Sequence, residues 1–129
     1  MAINGIDHVV IRVNDIEVAI KSYQNLGLEL TKQLENDYVG KIAIFAMPNG
    51  TFIELVSPTD PNSDLAKALE KRGEGVHTVA FVVDELDPVV STMKDGGATV
   101  IQTEDFADNA FVHPKSSHGV LLQMREIKP

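Results

Sequence analysis

The sequence predicts an α+β fold built from two tandem βαβββ modules. Three observations carry that expectation: an internal repeat, a helix-period apolar stripe at the same place in each copy, and paired β-prone runs after each stripe. Residues 5–13 read GIDHVVIRV and residues 75–83 read GVHTVAFVV, an offset of 70 residues. The offset continues without a gap, carrying NDIEVAIKSYQNLGLEL at 14–30 onto DELDPVVSTMKDGGATV at 84–100. A repeat at a fixed spacing is the signature of a duplicated structural unit.

Within each copy the first segment is a β-rich apolar run, expected as a strand. The next is amphipathic. Ile16, Ala19, Ile20 and Tyr23 fall on one helical stripe, with Asp15 placed as N-cap and Gly27 as the stop. Leu86, Val89, Val90 and Met93 repeat that stripe, opened by Asp84 or Glu85 and closed by Gly96 and Gly97. Pro88 lies in the first turn, where a missing N–H is tolerated. Tyr23 and Met93 hold equivalent positions, so both are expected in the core. Residues 41–58, KIAIFAMPNGTFIELVSP, then give two β-rich runs around a Pro-Asn-Gly turn, a hairpin signal. Residues 109–126, NAFVHPKSSHGVLLQMRE, have the same shape with a longer loop. Between the copies, residues 61–75 read as a short helix capped by Ser63, with Leu65, Ala66 and Leu69 as its apolar stripe. The expectation is one domain over 1–129, with modules 1–60 and 74–129 joined by a short helical linker and forming a curved, sheet-lined cleft.

Composition limits what such a cleft binds. The 129 residues are 43% hydrophobic and 23% charged, ordinary for a globular chain. No apolar run approaches the ~18 residues of a spanning helix, and the N-terminal residues lack the pattern of a secretory signal. There are no cysteines, which excludes disulfides and thiolate chemistry and fits a cytoplasmic protein. A formal charge of −8 opposes nucleic-acid binding, which needs a basic face. The expected partner is a small molecule, with neither nucleic acid nor membrane.

Several polar residues stand in apolar strand contexts. His8 is followed by Val9 and Val10, and is expected either to line the cleft or to pack within the sheet on a neighbouring hydrogen bond. Glu54 lies in TFIELV, where an unpartnered carboxylate is costly to bury. Its counterpart in the second copy is Gln123, an offset of 69 residues. His113, Lys115 and His118 sit on the HPKSSHG loop, a solvated turn unless Lys115 meets an anionic substrate group. Arg12 and Lys41 read as surface groups.

Three stretches, GIDHVVIRVNDIEVAI, SPTDPNSDLAKALEKRGEGVHTVAF and FVHPKSSHGVLLQM, resemble the vicinal-oxygen-chelate superfamily, which includes glyoxalase I, extradiol dioxygenases and antibiotic-resistance proteins. Within it they are most similar to the methylmalonyl-CoA epimerases. The resemblance implies a homodimer and a divalent ion (cobalt, nickel, zinc or magnesium) held by one side chain from the first and one from the last strand of each copy. Those positions carry His8, Glu54, Thr78 and Gln123. The resemblance assigns His8, Glu54 and Gln123 as metal ligands, Glu54 as the catalytic group, and Thr78, Lys115 and Ser116 to substrate binding. It implies an isomerase, epimerase or lyase that moves a proton beside the carbonyl of a small acid or acyl thioester.

Two positions depart from the pattern. Thr78 stands where a histidine is expected, and Gln123 where a glutamate is. A hydroxyl is a poorer ligand than imidazole, and an amide supplies oxygen without charge. The remaining donors favour a hard ion that keeps several waters, weakly held or absent. His77 falls one residue short of the ligand position, and in a regular strand it faces away. The alternative reading is a metal-free small-molecule binding or resistance protein on the same fold.

Overall fold

The structure, a computed structural model, describes residues 2–127. In chain order the elements are β1 (Ile3–Arg12), α1 (Ile16–Asn25), β2 (Lys32–Asn36), β3 (Gly40–Ala46), β4 (Phe52–Ser57) and α2 (Asp64–Arg72), followed by β5 (Gly75–Val83), α3 (Leu86–Asp95), β6 (Val100–Ile101), β7 (Asn109–Val112) and β8 (Leu121–Glu126). The βαβββ order therefore occurs twice, with α2 between the copies, and the fold is mixed α+β. The described chain forms two compact units, residues 9–77 and residues 2–8 with 78–127. β1 and β5 each contribute residues to both.

In the unit of residues 9–77 the strand order is β2-β3-β4-β1. The β3–β4 hairpin pairs Ala43 with Leu55 and Ile44 with Glu54, so alternate residues share a face. One face carries Ala43, Phe45 and Leu55 against Ile16, Ala19 and Ile20 of α1, with Tyr23 packed alongside. Phe45 and Leu55 are wholly buried, each contributing about 1.5–3 kcal/mol of apolar burial. The other face carries Val10, Ile42 and Val56 against Leu65 of α2. The α1 cap is as the sequence predicts: the Asp15 side chain accepts from the N–H groups of Glu17 and Val18. Ser63 caps α2 by accepting from Ala66 N at 3.1 Å. Gly40 opens β3 at φ +112°, and a Cβ there would lie 2.4 Å from the Ser57 carbonyl oxygen. Only glycine fits that approach.

In the unit of residues 2–8 and 78–127, β5-β8-β7-β6 run side by side. β6, β7 and β8 form an antiparallel meander, and β8 returns parallel to β5. Val83, Ala110, Val112 and Met124 face Leu86, Val89 and Val90 of α3, with Met93 packed against them. The opposite face is set by register. Thr78 pairs with Leu121, Ala80 with Gln123 and Val82 with Arg125 across β5 and β8. Phe111 and Asn109 of β7 continue the Gln123 and Arg125 rows. α3 starts where expected, at one of the two acidic residues named from the sequence. Glu85 holds the N-cap position without a side-chain bond, and the Glu126 carboxylate from β8 accepts from Leu86 N at 3.3 Å instead. A carboxylate at a helix N-terminus also meets the positive end of its dipole.

Candidate functional site

β1 presents two consecutive buried polar residues, Asp7 and His8. The His8 ring donates from Nδ1 to Asp7 Oδ2 at 2.7 Å, and Arg125 Nη1 donates to the same oxygen at 3.1 Å. The Asp7 and His8 side chains are 10% and 9% exposed, whereas Arg125 is 46% exposed. A buried carboxylate is costly unless paired, and here an imidazole and a guanidinium share it. His8 is therefore bonded to its neighbour in the strand and held rigidly as well.

Thr78 and Gln123, the second-module positions that the resemblance assigns, lie on one face of the β5–β8 sheet, a diagonal step apart. Thr78 is buried. Gln123 is half-buried, and its Nε2 donates to Asn109 Oδ1 at 2.8 Å. That bond fixes the amide so that the Gln123 carbonyl oxygen is its acceptor end. α3 covers the opposite side, which leaves Thr78, Gln123, Asn109 and Arg125 outside the helix-packed core, interleaved with Ala80, Val82, Phe111 and Leu121.

In the other unit Glu54 is half-buried on the face of Ile42 and Val56, the one turned away from α1. His77 does not take the place of Thr78. β5 runs unbroken from Gly75 to Val83, so adjacent residues project to opposite faces. His77 lies among Arg12, Arg72 and Asp64. Burial, then Arg12 and Arg72, push its pKa below the ordinary histidine value, with Asp64 opposing.

Arg12 corrects the expectation of a surface group. It is only 6% exposed, and it donates from Nε to the Gly73 carbonyl and from Nη1 to the Val76 carbonyl, both at 2.7 Å. Gly73 is the C-cap of α2, so the guanidinium sits at the negative end of that helix. Burial, with Arg72 nearby, lowers its pKa. Lys41 is exposed, as expected.

The HPKSSHG loop folds as a single 3-10 turn, Pro114–Ser116. His113 Nδ1 accepts from Lys115 N at 3.0 Å, and Ser116 Oγ accepts from Thr99 N at 3.0 Å. Ser116 thus ties the loop to the segment after α3 while its O–H can still donate. Lys115 and His118 are exposed, and His118 takes a left-handed backbone, φ +58°.

Among the described residues no three His, Asp or Glu side chains are grouped to hold a metal. The Gln123 amide oxygen and the Thr78 hydroxyl, on one face of β5 and β8, are neutral oxygen donors. This donor chemistry suits a hard cation such as magnesium better than a tightly chelated soft one.

Asp7, Asn109 and Arg125 were not singled out by the sequence. Arg125 carried one signal: under the offset of 69 it stands where the first copy has Val56. A charged group replacing an apolar one two positions beyond Gln123 marks the same sheet face.

Comparison with known proteins agrees with the fold. The family model of the glyoxalase/bleomycin resistance protein/dioxygenase superfamily matches residues 7–112. An ethylmalonyl-CoA/methylmalonyl-CoA epimerase of Cereibacter sphaeroides is 31% identical, covering 97% of this chain and 99% of the relative. The mitochondrial methylmalonyl-CoA epimerase of Dictyostelium discoideum is 26% identical over 98% of this chain and 80% of its own. The crystal structure of methylmalonyl-CoA epimerase from Mycobacterium tuberculosis superposes with a TM-score of 0.81 at 32% identity, covering 99% of this chain and 91% of that one. A Streptomyces coelicolor methylmalonyl-CoA epimerase variant in complex with 2-nitronate-propionyl-CoA gives 0.78 at 28% identity, covering 96% and 97%. By the family match and this whole-length similarity, the chain belongs to the glyoxalase/bleomycin resistance protein/dioxygenase superfamily.

Proposed function

We propose that the protein is an epimerase-like enzyme that moves a proton beside the carbonyl of a small acyl-CoA thioester of the methylmalonyl type. The observation that carries this reading is that relatives of that activity match nearly the whole chain, with Thr78 and Gln123, the two positions the resemblance assigns in the second module, on one sheet face. Glu54 is the proposed base for the acidic carbon, and His8 and Gln123 supply the neutral nitrogen and oxygen donors. The proposed cofactor is a divalent ion, magnesium before cobalt, nickel or zinc, held by His8, Glu54 and Gln123. When bound, it would offset the negative charge that develops on the thioester oxygen as the proton leaves. The Thr78 hydroxyl can donate to that oxygen. Lys115 and Ser116 are proposed to meet a carboxylate or phosphate of the substrate, where a mobile ammonium and an O–H donor suit an anion. A homodimer in the cytoplasm completes the proposal.

Thr78 and Gln123 also favour a second reading, a metal-free binding protein that keeps the fold without the chemistry. Lyase activity of the glyoxalase type is a lesser variant of the first. Incubating the protein with methylmalonyl-CoA in D2O, with and without added magnesium or cobalt, separates them. Deuterium entering the acidic carbon, abolished by Glu54→Gln, supports the enzyme. No exchange with any short-chain acyl-CoA under any metal condition, together with thermal stabilisation by one of them, would favour the binding protein.

A further inference from the structure

The sheet face that carries Thr78 and Gln123 also holds a cation with part of its donor set unused. Arg125 stands two residues beyond Gln123 on β8, so both side chains leave the same face. Asn109 lies directly opposite Arg125 across β7 and β8, a placement that brings Cβ atoms to about 4.5–5.5 Å. Arg125 donates from Nη1 to Asp7 Oδ2 at 3.1 Å, and among the described residues its Nε–H and Nη2–H groups meet no acceptor. Those two groups lie parallel along one edge of the guanidinium, the fork that takes both oxygens of a carboxylate. The side chain is 46% exposed, so that edge is open to solvent while the Asp7 bond orients it. Asn109 adds a donor. Its Oδ1 is occupied by Gln123 Nε2, which leaves Nδ2 as its remaining polar group. Gln123 contributes through its neutrality. The glutamate expected there from the resemblance would place a negative charge two residues from Arg125, competing for the guanidinium and repelling an anion.

We propose that Arg125, with Asn109, binds the free carboxylate of a malonyl-type acyl group, and so selects a dicarboxylic acyl thioester over a simple acyl one. Naming a thioester rests on the proposed function; the carboxylate site rests on the geometry alone. Two residues of strand span about 7 Å, so Gln123 and Arg125 can meet the two ends of a short diacid unit at once. Lys115 and Ser116, on the loop that precedes β8, are then left for a phosphate. Calorimetry with methylmalonyl-CoA and propionyl-CoA, which differ only by that carboxylate, tests the assignment, with a chelator present so that no metal contributes. The wild type should bind methylmalonyl-CoA about 10- to 100-fold more tightly, the range of a hydrogen bond to a charged group. Arg125→Met should abolish the difference and change propionyl-CoA binding little. Arg125→Lys, which keeps the charge without the fork, should restore only part of it. Asn109→Asp keeps the acceptor for Gln123 and turns the donor into a carboxylate oxygen, so it should weaken methylmalonyl-CoA selectively.

A second measurement needs no folded Arg125→Met protein. In 15N-labelled wild type, the Arg125 Nε–H signal, identified by its loss in Arg125→Lys, should shift when methylmalonyl-CoA or free malonate is added. Equal wild-type affinity for the two thioesters overturns the proposal, as does a preference that survives in folded Arg125→Met. An unchanged preference in Asn109→Asp removes Asn109 from the site. If neither thioester binds but malonate shifts the Arg125 signal, the acyl-CoA reading fails and the carboxylate site stands. If neither methylmalonyl-CoA nor malonate moves that signal, the site itself is refuted.

Discussion

Replacing Arg12 by methionine tests whether a buried cation at the end of α2 stabilises the unit formed by residues 9–77. Methionine keeps a long flexible stem and removes both donors. The guanidinium makes two short bonds, to the Gly73 and Val76 carbonyls, each 2.7 Å. Hydrogen bonds from a charged group contribute about 1.5–3 kcal/mol each, so the gross loss is about 3–6 kcal/mol. Part of this is returned. The lowered pKa shows that the charge is desolvated and repelled by Arg72, and both costs disappear with it. The expected net destabilisation is about 2–3 kcal/mol, a large share of the ~5–15 kcal/mol that holds a domain of this size together. Urea unfolding followed by circular dichroism measures it, with the midpoint falling and the slope unchanged. Arg12→Lys, which supplies one compact ammonium in place of a fork, should recover less than half of the loss. A midpoint change worth under about 0.5 kcal/mol, the size of an ordinary surface substitution, would refute the reasoning.

His77 should give the protein a pH-dependent stability. Its folded pKa is lowered, chiefly by burial and then by Arg12 and Arg72, against Asp64. The neutral ring is therefore the form the fold accepts, and the unfolded chain takes up its proton first as pH falls. Its contribution is fully present above the ordinary value of about 6.5 and is lost as pH falls from there toward the lowered folded value. Urea midpoints measured between about pH 8 and pH 5 should drop less in His77→Gln than in the wild type; parallel curves would assign the titration elsewhere. For the metal question, Thr78→His combined with Gln123→Glu should raise divalent-cation affinity at least tenfold, about 1.4 kcal/mol. Calorimetry showing no gain would mean these two positions do not face the ion.

The fold was legible because its signals are local or repeated. The offset between Gly5 and Gly75 placed both modules, Asp15 and Ser63 marked helix starts that the structure reproduces, and the Pro-Asn-Gly turn joined β3 to β4. Thr78 and Gln123 were legible for the same reason, since strand period and repeat offset together fix their shared face. What stayed hidden is pairwise and distant. Arg12 reads as an outward strand residue between Ile11 and Val13, and its partners are backbone carbonyls 61 and 64 residues away, which no side-chain pattern announces. Asp7 meets Arg125 across 118 residues of sequence. At α3 Glu85 holds the N-cap position, but the side-chain bond to the helix start comes from Glu126, because β8 ends beside it, a fact of topology and not of local propensity.

The compact unit that holds β5 to β8 also holds residues 2–8, which precede the whole of the other unit in sequence. Its pieces lie at opposite ends of the chain, whereas residues 9–77 are contiguous. During synthesis the contiguous unit has its whole sequence available while the other still waits for β8, and Asp7 reaches Arg125 only once that strand has been made. The boundary between the duplicated halves is therefore not the boundary between the compact units, and severing the chain between the repeats would deprive the later half of the β1 residues that its unit includes.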